Sequence, residues 1–150
     1  MTRSDAADGE YAPSRAEKIR DQVELFEASD GAAGNRVEGA PIVVVTTLGA
    51  RSGRLRKTPL IRVEHEREYA LVASMSGAPV HPAWYYNLTA NPLAELQDGP
   101  VKRDYRAREV HGAERAIWWR RATDVWPAFE LNQRHSRRRI PVLVLSPAAH

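Results

Sequence analysis

Hydrophobic residues along the chain fall into short runs with two spacings. In residues 14–29 (SRAEKIRDQVELFEAS), Ile19, Val23 and Phe26 recur at helical intervals. Ser14 stands where an N-cap belongs and Glu17 completes a capping box, so the segment predicts an amphipathic helix. Residues 42–47 (IVVVTT) are β-branched throughout and bounded by Pro41 and Gly49, which predicts a buried strand. Residues 58–65 alternate, with Ile61 and Val63 against Arg62 and Glu64. Residues 69–74 (YALVAS) form a further strand, and the intervening HERE predicts a hairpin. Residues 82–90 (PAWYYNLTA) predict a short helix opened by proline and stopped at Asn91-Pro92. Residues 93–97 and 101–111 flank Asp98-Gly99, a dipeptide that hairpin turns select. Ala116, Trp119, Ala122 and Trp126 form an apolar stripe that predicts a helix over 114–125. Residues 140–145 (IPVLVL) predict a last strand, placed at an edge or bulge because Pro141 has no N–H for a ladder.

About six mostly antiparallel strands in hairpins, with three helices, predict an α+β protein built on a small sheet or barrel. The length of 150 residues favours one domain, over residues 14–150, after a disordered tail at 1–13. At 43% hydrophobic and 27% charged, the composition is that of an ordinary globular chain. There is no cysteine, which excludes disulfides, thiolate catalysis and cysteine-ligated metals. The five histidines show no metal-binding spacing, so no metal is expected. The N-terminus lacks an apolar signal region, and no run approaches the ~20 apolar residues of a membrane span. A cytoplasmic location is expected.

Charge changes the picture at one place. In residues 48–60 (LGARSGRLRKTPL), Arg51, Arg54, Arg56 and Lys57 stand together without an acid, punctuated by Gly49 and Gly53. Such a turn reads as a solvated hairpin loop, as a nucleic-acid patch, or as an anion site. In the third reading the glycines let backbone amides approach the anion and arginine forks grip its oxygens. P-loop, dinucleotide-binding and nucleophile-elbow motifs are all absent. A second segment, residues 73–92 (ASMSGAPVHPAWYYNLTANP), runs from a strand of small residues through Gly77 into an aromatic helix. It reads either as a tight turn with Trp84 and Tyr85 in the core, or as a seat for a flat ligand.

TTLGARSGRLRKTPL, VASMSGAPVHPAWYYNLTANP and RRRIPVLVLSP, in that order, resemble the deazaflavin-dependent nitroreductase family over roughly residues 39–147. The resemblance implies a split β-barrel like that of flavin-mononucleotide-binding oxidases. It implies coenzyme F420, an 8-hydroxy-5-deazaflavin with a phosphodiester and a glutamate tail, as cofactor, with flavin mononucleotide less favoured. Ala50, Arg51, Ser52, Arg56 and Lys57 would then meet the anionic tail, and Thr58, Pro59, Leu60 and Ile61 would run along the cofactor. Val72, Ala73, Ser74 and Met75 would cradle the ring, with Ala83, Trp84, Tyr85, Tyr86 and Asn87 beside it. Because the cofactor carries the reactive hydride, no catalytic side chain is named. The proton is left to solvent or to a tyrosine hydroxyl.

Two departures bear on the acceptor. Met75 stands where a nitroimidazole-activating member carries lysine, and Trp126, Phe129 and Asn132 stand where it carries pocket tyrosines. These three are the expected substrate wall, with Trp126 also suited to the helix stripe. The apolar change implies a quinone-like or other conjugated acceptor, or a nitroaromatic one, reduced by hydride transfer. The alternative is a protein that binds deazaflavin, flavin or haem without turnover. A nucleic-acid partner is not expected, a weak membrane-surface association is left open, and a monomer is favoured.

Overall fold

The computed structural model describes residues 9–149. Its elements, in chain order, are α1 (Glu17–Ala28), β1 (Arg36–Val37), β2 (Ala40–Leu48), β3 (Leu55–Ile61), β4 (Glu64–His65) and β5 (Glu68–Val72). A 3-10 turn (Met75–Gly77) follows, then α2 (Ala83–Ala90), β6 (Leu93–Asp98), β7 (Val101–Glu109), α3 (Gly112–Val125), α4 (Ala128–His135) and β8 (Val142–Pro147). All strand pairings are antiparallel, in the order β1-β2-β6-β7-β8-β5-β4 with β3 added to β2. This is the α+β split barrel expected from the hairpins and the family motifs.

Strands β2, β5 and β8 carry nearly continuous apolar runs because both faces of the sheet are covered there. Successive strand side chains point to opposite faces. Val43 and Val45 of β2, Leu71 of β5 and Leu143 and Leu145 of β8 pack with Trp84 and Leu88 of α2. Their neighbours Ala70, Val72, Val142 and Val144 face Trp118 and Ala122 of α3 and Phe129 of α4. Ile42 and Val44 pack under Val23 and Phe26 of α1. Each fully buried aliphatic side chain contributes about 1.5–3 kcal/mol, so these layers dominate the stability.

Several local expectations are corrected. Ser14 does not cap α1: the N-cap is Ala16, and the Ser14 hydroxyl is occupied by the Ala16 amide at 3.2 Å in a local turn. Ile19 is 39% exposed rather than buried on the helix's inner face. In α3 the buried face is Arg115, Trp118 and Ala122, while Ala116 is exposed. Arg115 buries its stem and donates to the Ile140 carbonyl at 2.6 Å, so a residue that reads as polar turns inward. β8 is not an edge strand, since it pairs with both β5 and β7. Pro141 precedes its first paired residue and contributes only a carbonyl, which accepts from Ala73 at 3.0 Å. Helix α4 was not expected at all. It starts directly after Pro127, a residue suited to opening a helix.

Of the tail expected at residues 1–13, residues 1–8 lie outside the described span. Residues 10–12 do not hang free. Leu55 donates to the Glu10 carbonyl at 2.7 Å and Ala12 to the Leu55 carbonyl at 2.8 Å, covering part of the outer edge of β3.

Candidate functional site

The basic turn joins β2 to β3. Gly49 is required because an added Cβ would stand 2.6 Å from Ser52 Oγ and 3.0 Å from the Arg54 carbonyl. Gly53 is required by its φ of +68°. The Gly49 amide donates to Arg54 O at 2.7 Å and Gly53 to Gly49 O at 2.9 Å, closing the turn. One residue of α2 ties it down from the side. Asn87, buried, accepts from the Ala50 amide at 2.9 Å and donates to Thr47 Oγ1 at 3.1 Å.

The opposite wall is the segment after β5. Met75 and Ser76 have φ of +46° and +56°, and Gly77 follows at +81°. Two consecutive non-glycine residues in the left-handed region cost roughly 1–2 kcal/mol each. Arg138 holds this strained segment. Its guanidinium donates to the carbonyls of Ala73 (3.0 Å), Ser74 (2.8 Å) and Ala78 (2.8 Å).

Between the two walls lies a cleft of about 730 Å³. Gly49, Ala50, Arg51, Ser52 and Arg56 line it from the turn and β3. Met75, Val80 and His81 line it from the strained segment, and Ala83, Tyr86 and Asn87 from α2. No carboxylate is among the lining residues. Arg51 and Arg56 form no ion pair among the described residues. Met75, Val80 and Tyr86 are three of the eight large hydrophobic residues left exposed among those described, at 50%, 56% and 50%. Exposed apolar groups gathered in one concavity opposite unpaired cations mark a ligand site.

Eight of the residues anticipated for the cofactor therefore meet in this cleft: Ala50, Arg51, Ser52, Arg56, Met75, Ala83, Tyr86 and Asn87. Others do not line it. Lys57 is ion-paired with Glu27 of α1 and lies 4.7 Å over the Tyr11 ring. The cause is strand geometry: Arg56 and Lys57 are consecutive in β3 and face opposite ways. Thr58, Pro59, Leu60 and Ile61 continue β3, half-buried. Val72, Ala73 and Ser74 are buried behind the cleft, and Trp84 is in the core. The Tyr85 hydroxyl donates to Glu109 at 2.5 Å. Burial, then that hydrogen bond, push its pKa up to about 12.

The expected substrate wall also does not line the cleft. Phe129 is buried against α3 and the sheet, and Trp126 packs on the same cluster. Asn132 packs against Gly77, where an added Cβ would stand 3.3 Å from the Asn132 carbonyl. Val80, His81 and Arg138 were missed as site residues. An aliphatic between two prolines, at a helix entrance, was the available signal for Val80. Arg138 carried none, being one of three consecutive arginines.

Residues 18–147 match the family model described as F420H(2)-dependent quinone reductase. The chain belongs to this family. It is 33% identical over 126 residues to an F420H(2)-dependent quinone reductase of Mycobacterium tuberculosis, covering 81% of this chain and 85% of the relative. A solved F420-H2 dependent reductase is 46% identical with a TM-score of 0.67, covering 71% of this chain and 94% of that one. A second solved structure, described as a domain-swapped dimer, is 41% identical with a TM-score of 0.70, covering 89% and 100%. The resemblance read from the three motifs is borne out, and the family's cofactor is coenzyme F420. The favoured monomer gains no support from these relatives. Among the described residues no helix is long and apolar enough to cross a membrane, and no group of three His, Asp or Glu is placed to hold a metal.

Proposed function

We propose that this chain binds coenzyme F420 in the cleft between the basic turn and α2, and uses its reduced form to reduce a quinone. One observation carries the reading: exposed Met75, Val80 and Tyr86 face unpaired Arg51 and Arg56 with no carboxylate between them. A flat ring with an anionic tail matches that division, so the residues present fit the cofactor. Arg51, Ser52 and Arg56 would take the phosphodiester and glutamates, since a guanidinium fork binds two oxygens at once. Met75, Ala83 and Tyr86 would take the ring.

When bound, reduced F420 supplies the hydride. The protein's task is to orient, to exclude water and to hold charge in place. Asn87 fixes the turn relative to α2, and Arg138 fixes the strained segment relative to the connection between α4 and β8, so both walls are set before a ligand arrives. Quinone is favoured over a nitroaromatic acceptor because Met75, an apolar residue 50% exposed, lines the cleft at a position where a lysine would add charge. The test is anaerobic mixing of the protein and reduced F420 with a soluble naphthoquinone and, separately, a nitroimidazole. Oxidation of the cofactor that depends on protein and on quinone is expected. Tight binding without any acceptor-dependent oxidation would make the chain a carrier instead.

A further inference from the structure

Arg138 does more than hold carbonyls. Its Nη1 lies 3.1 Å from His81 Nδ1. A guanidinium offers only donors, so His81 Nδ1 must be the acceptor, and the neutral ring carries its single proton on Nε2. The groups facing the imidazole are Arg138, Glu109, and the rings of Tyr85 and Tyr86 at 4.6 and 5.8 Å. Burial first, and the Arg138 charge second, hold the imidazole below its ordinary pKa, with Glu109 opposing. His81 Nε2 has no hydrogen-bond partner among the described side chains, and the residue lines the cleft.

We propose that His81 is a hydrogen-bond donor to a carbonyl oxygen of the ring bound in the cleft, and that Arg138 is the positioning residue that fixes the donor tautomer. The contact rests on the cofactor reading above; the tautomer does not. His81 then discriminates between ligands. A ring that presents an acceptor is held, and a ring that presents a donor at that edge is refused, because two facing donors leave both unpaired. A charged imidazolium would still donate but would stand against the Arg138 cation, so the site keeps its donor neutral.

The tautomer is read directly in 15N-labelled free protein at pH 7.5, by long-range proton–nitrogen correlation, with the His81 signals assigned through His81→Gln. A single Nε2–H form is expected. Arg138→Gln should give a tautomer mixture, and Arg138→Lys, which restores a donor-only partner, should return the Nε2–H form. An Nδ1–H form or a cation at this pH overturns the proposal. The contact is read by titrating 8-hydroxy-5-deazariboflavin, which has the ring without phosphate or glutamate. His81→Phe should weaken binding about tenfold, and His81→Gln, whose amide can donate, by no more than about threefold. Wild-type protein that binds neither this ring nor F420 overturns the cofactor reading and the contact with it. Wild-type binding that His81→Phe leaves unchanged overturns this inference alone.

Discussion

Residues 51–57 and residues 134–139 are both crowded with cations, and both border the same strained segment or the cleft beside it. In the first run, Arg51 and Arg56 have no ion-pair partner among the described residues and line the cleft. In the second, Arg138 spends its donors on three backbone carbonyls and an imidazole nitrogen. The difference follows from the backbone. The first run lies on a glycine turn and an outer strand, where side chains reach solvent. The second crosses behind the Met75–Gly77 turn, where carbonyls need donors and a planar fork can serve several at once. Similar charge density thus leaves unpaired cations lining a cleft in one place and builds a structural clamp in the other.

The comparison breaks or sharpens at specific residues. The largest effect is expected from Arg51→Ala combined with Arg56→Ala: F420 affinity should fall about 100-fold or more, as two charge-assisted contacts are lost. The thermal midpoint should stay close to wild type. Raised salt should weaken wild-type binding and affect the double variant little.

Arg138→Met should act the other way round. It orphans the carbonyls of Ala73, Ser74 and Ala78, so the unfolding free energy should drop by about 2–3 kcal/mol in a urea titration. A stability unchanged within about 0.5 kcal/mol would remove the clamp from this account.

Asn87→Leu leaves the Ala50 amide and the Thr47 hydroxyl without partners. A loss of about 1–2 kcal/mol in stability is expected, with weaker F420 binding because the turn carrying Arg51 is released.

The smallest effect is a pH dependence. The fold favours the neutral Tyr85 phenol, whose pKa is raised to about 12. Its contribution is complete below the ordinary tyrosine value near pH 10 and is lost as the pH rises through about 12. Urea midpoints measured from pH 9 to 12 should fall more steeply in wild type than in Tyr85→Phe.

How much of this was legible in the sequence follows the range of the interactions. The hairpins were readable because apolar runs and turn dipeptides such as Asp98-Gly99 are local signals. The turn wall of the site was readable for the same reason, since Gly49, Arg51, Ser52 and Arg56 are near neighbours. The split between Arg56 and Lys57 required knowing that β3 begins at Leu55 and that both residues lie within it. The clamp was hidden because the partners of Arg138 lie 57 to 65 residues away along the chain. Phe129 is expected at the substrate wall from its place in the family pattern, but helix α4 turns it into the core.

The most direct test uses the two adjacent cations. F420 would be titrated by fluorescence against wild type, Arg56→Ala and Lys57→Ala. The account predicts roughly tenfold weaker binding for Arg56→Ala, unchanged affinity for Lys57→Ala, and a stability loss confined to the latter, about 1–2 kcal/mol for a pair whose side chains are only 19% and 25% exposed. Equal losses of affinity in both variants, or a loss in Lys57→Ala alone, would contradict the placement of the anionic tail in this cleft.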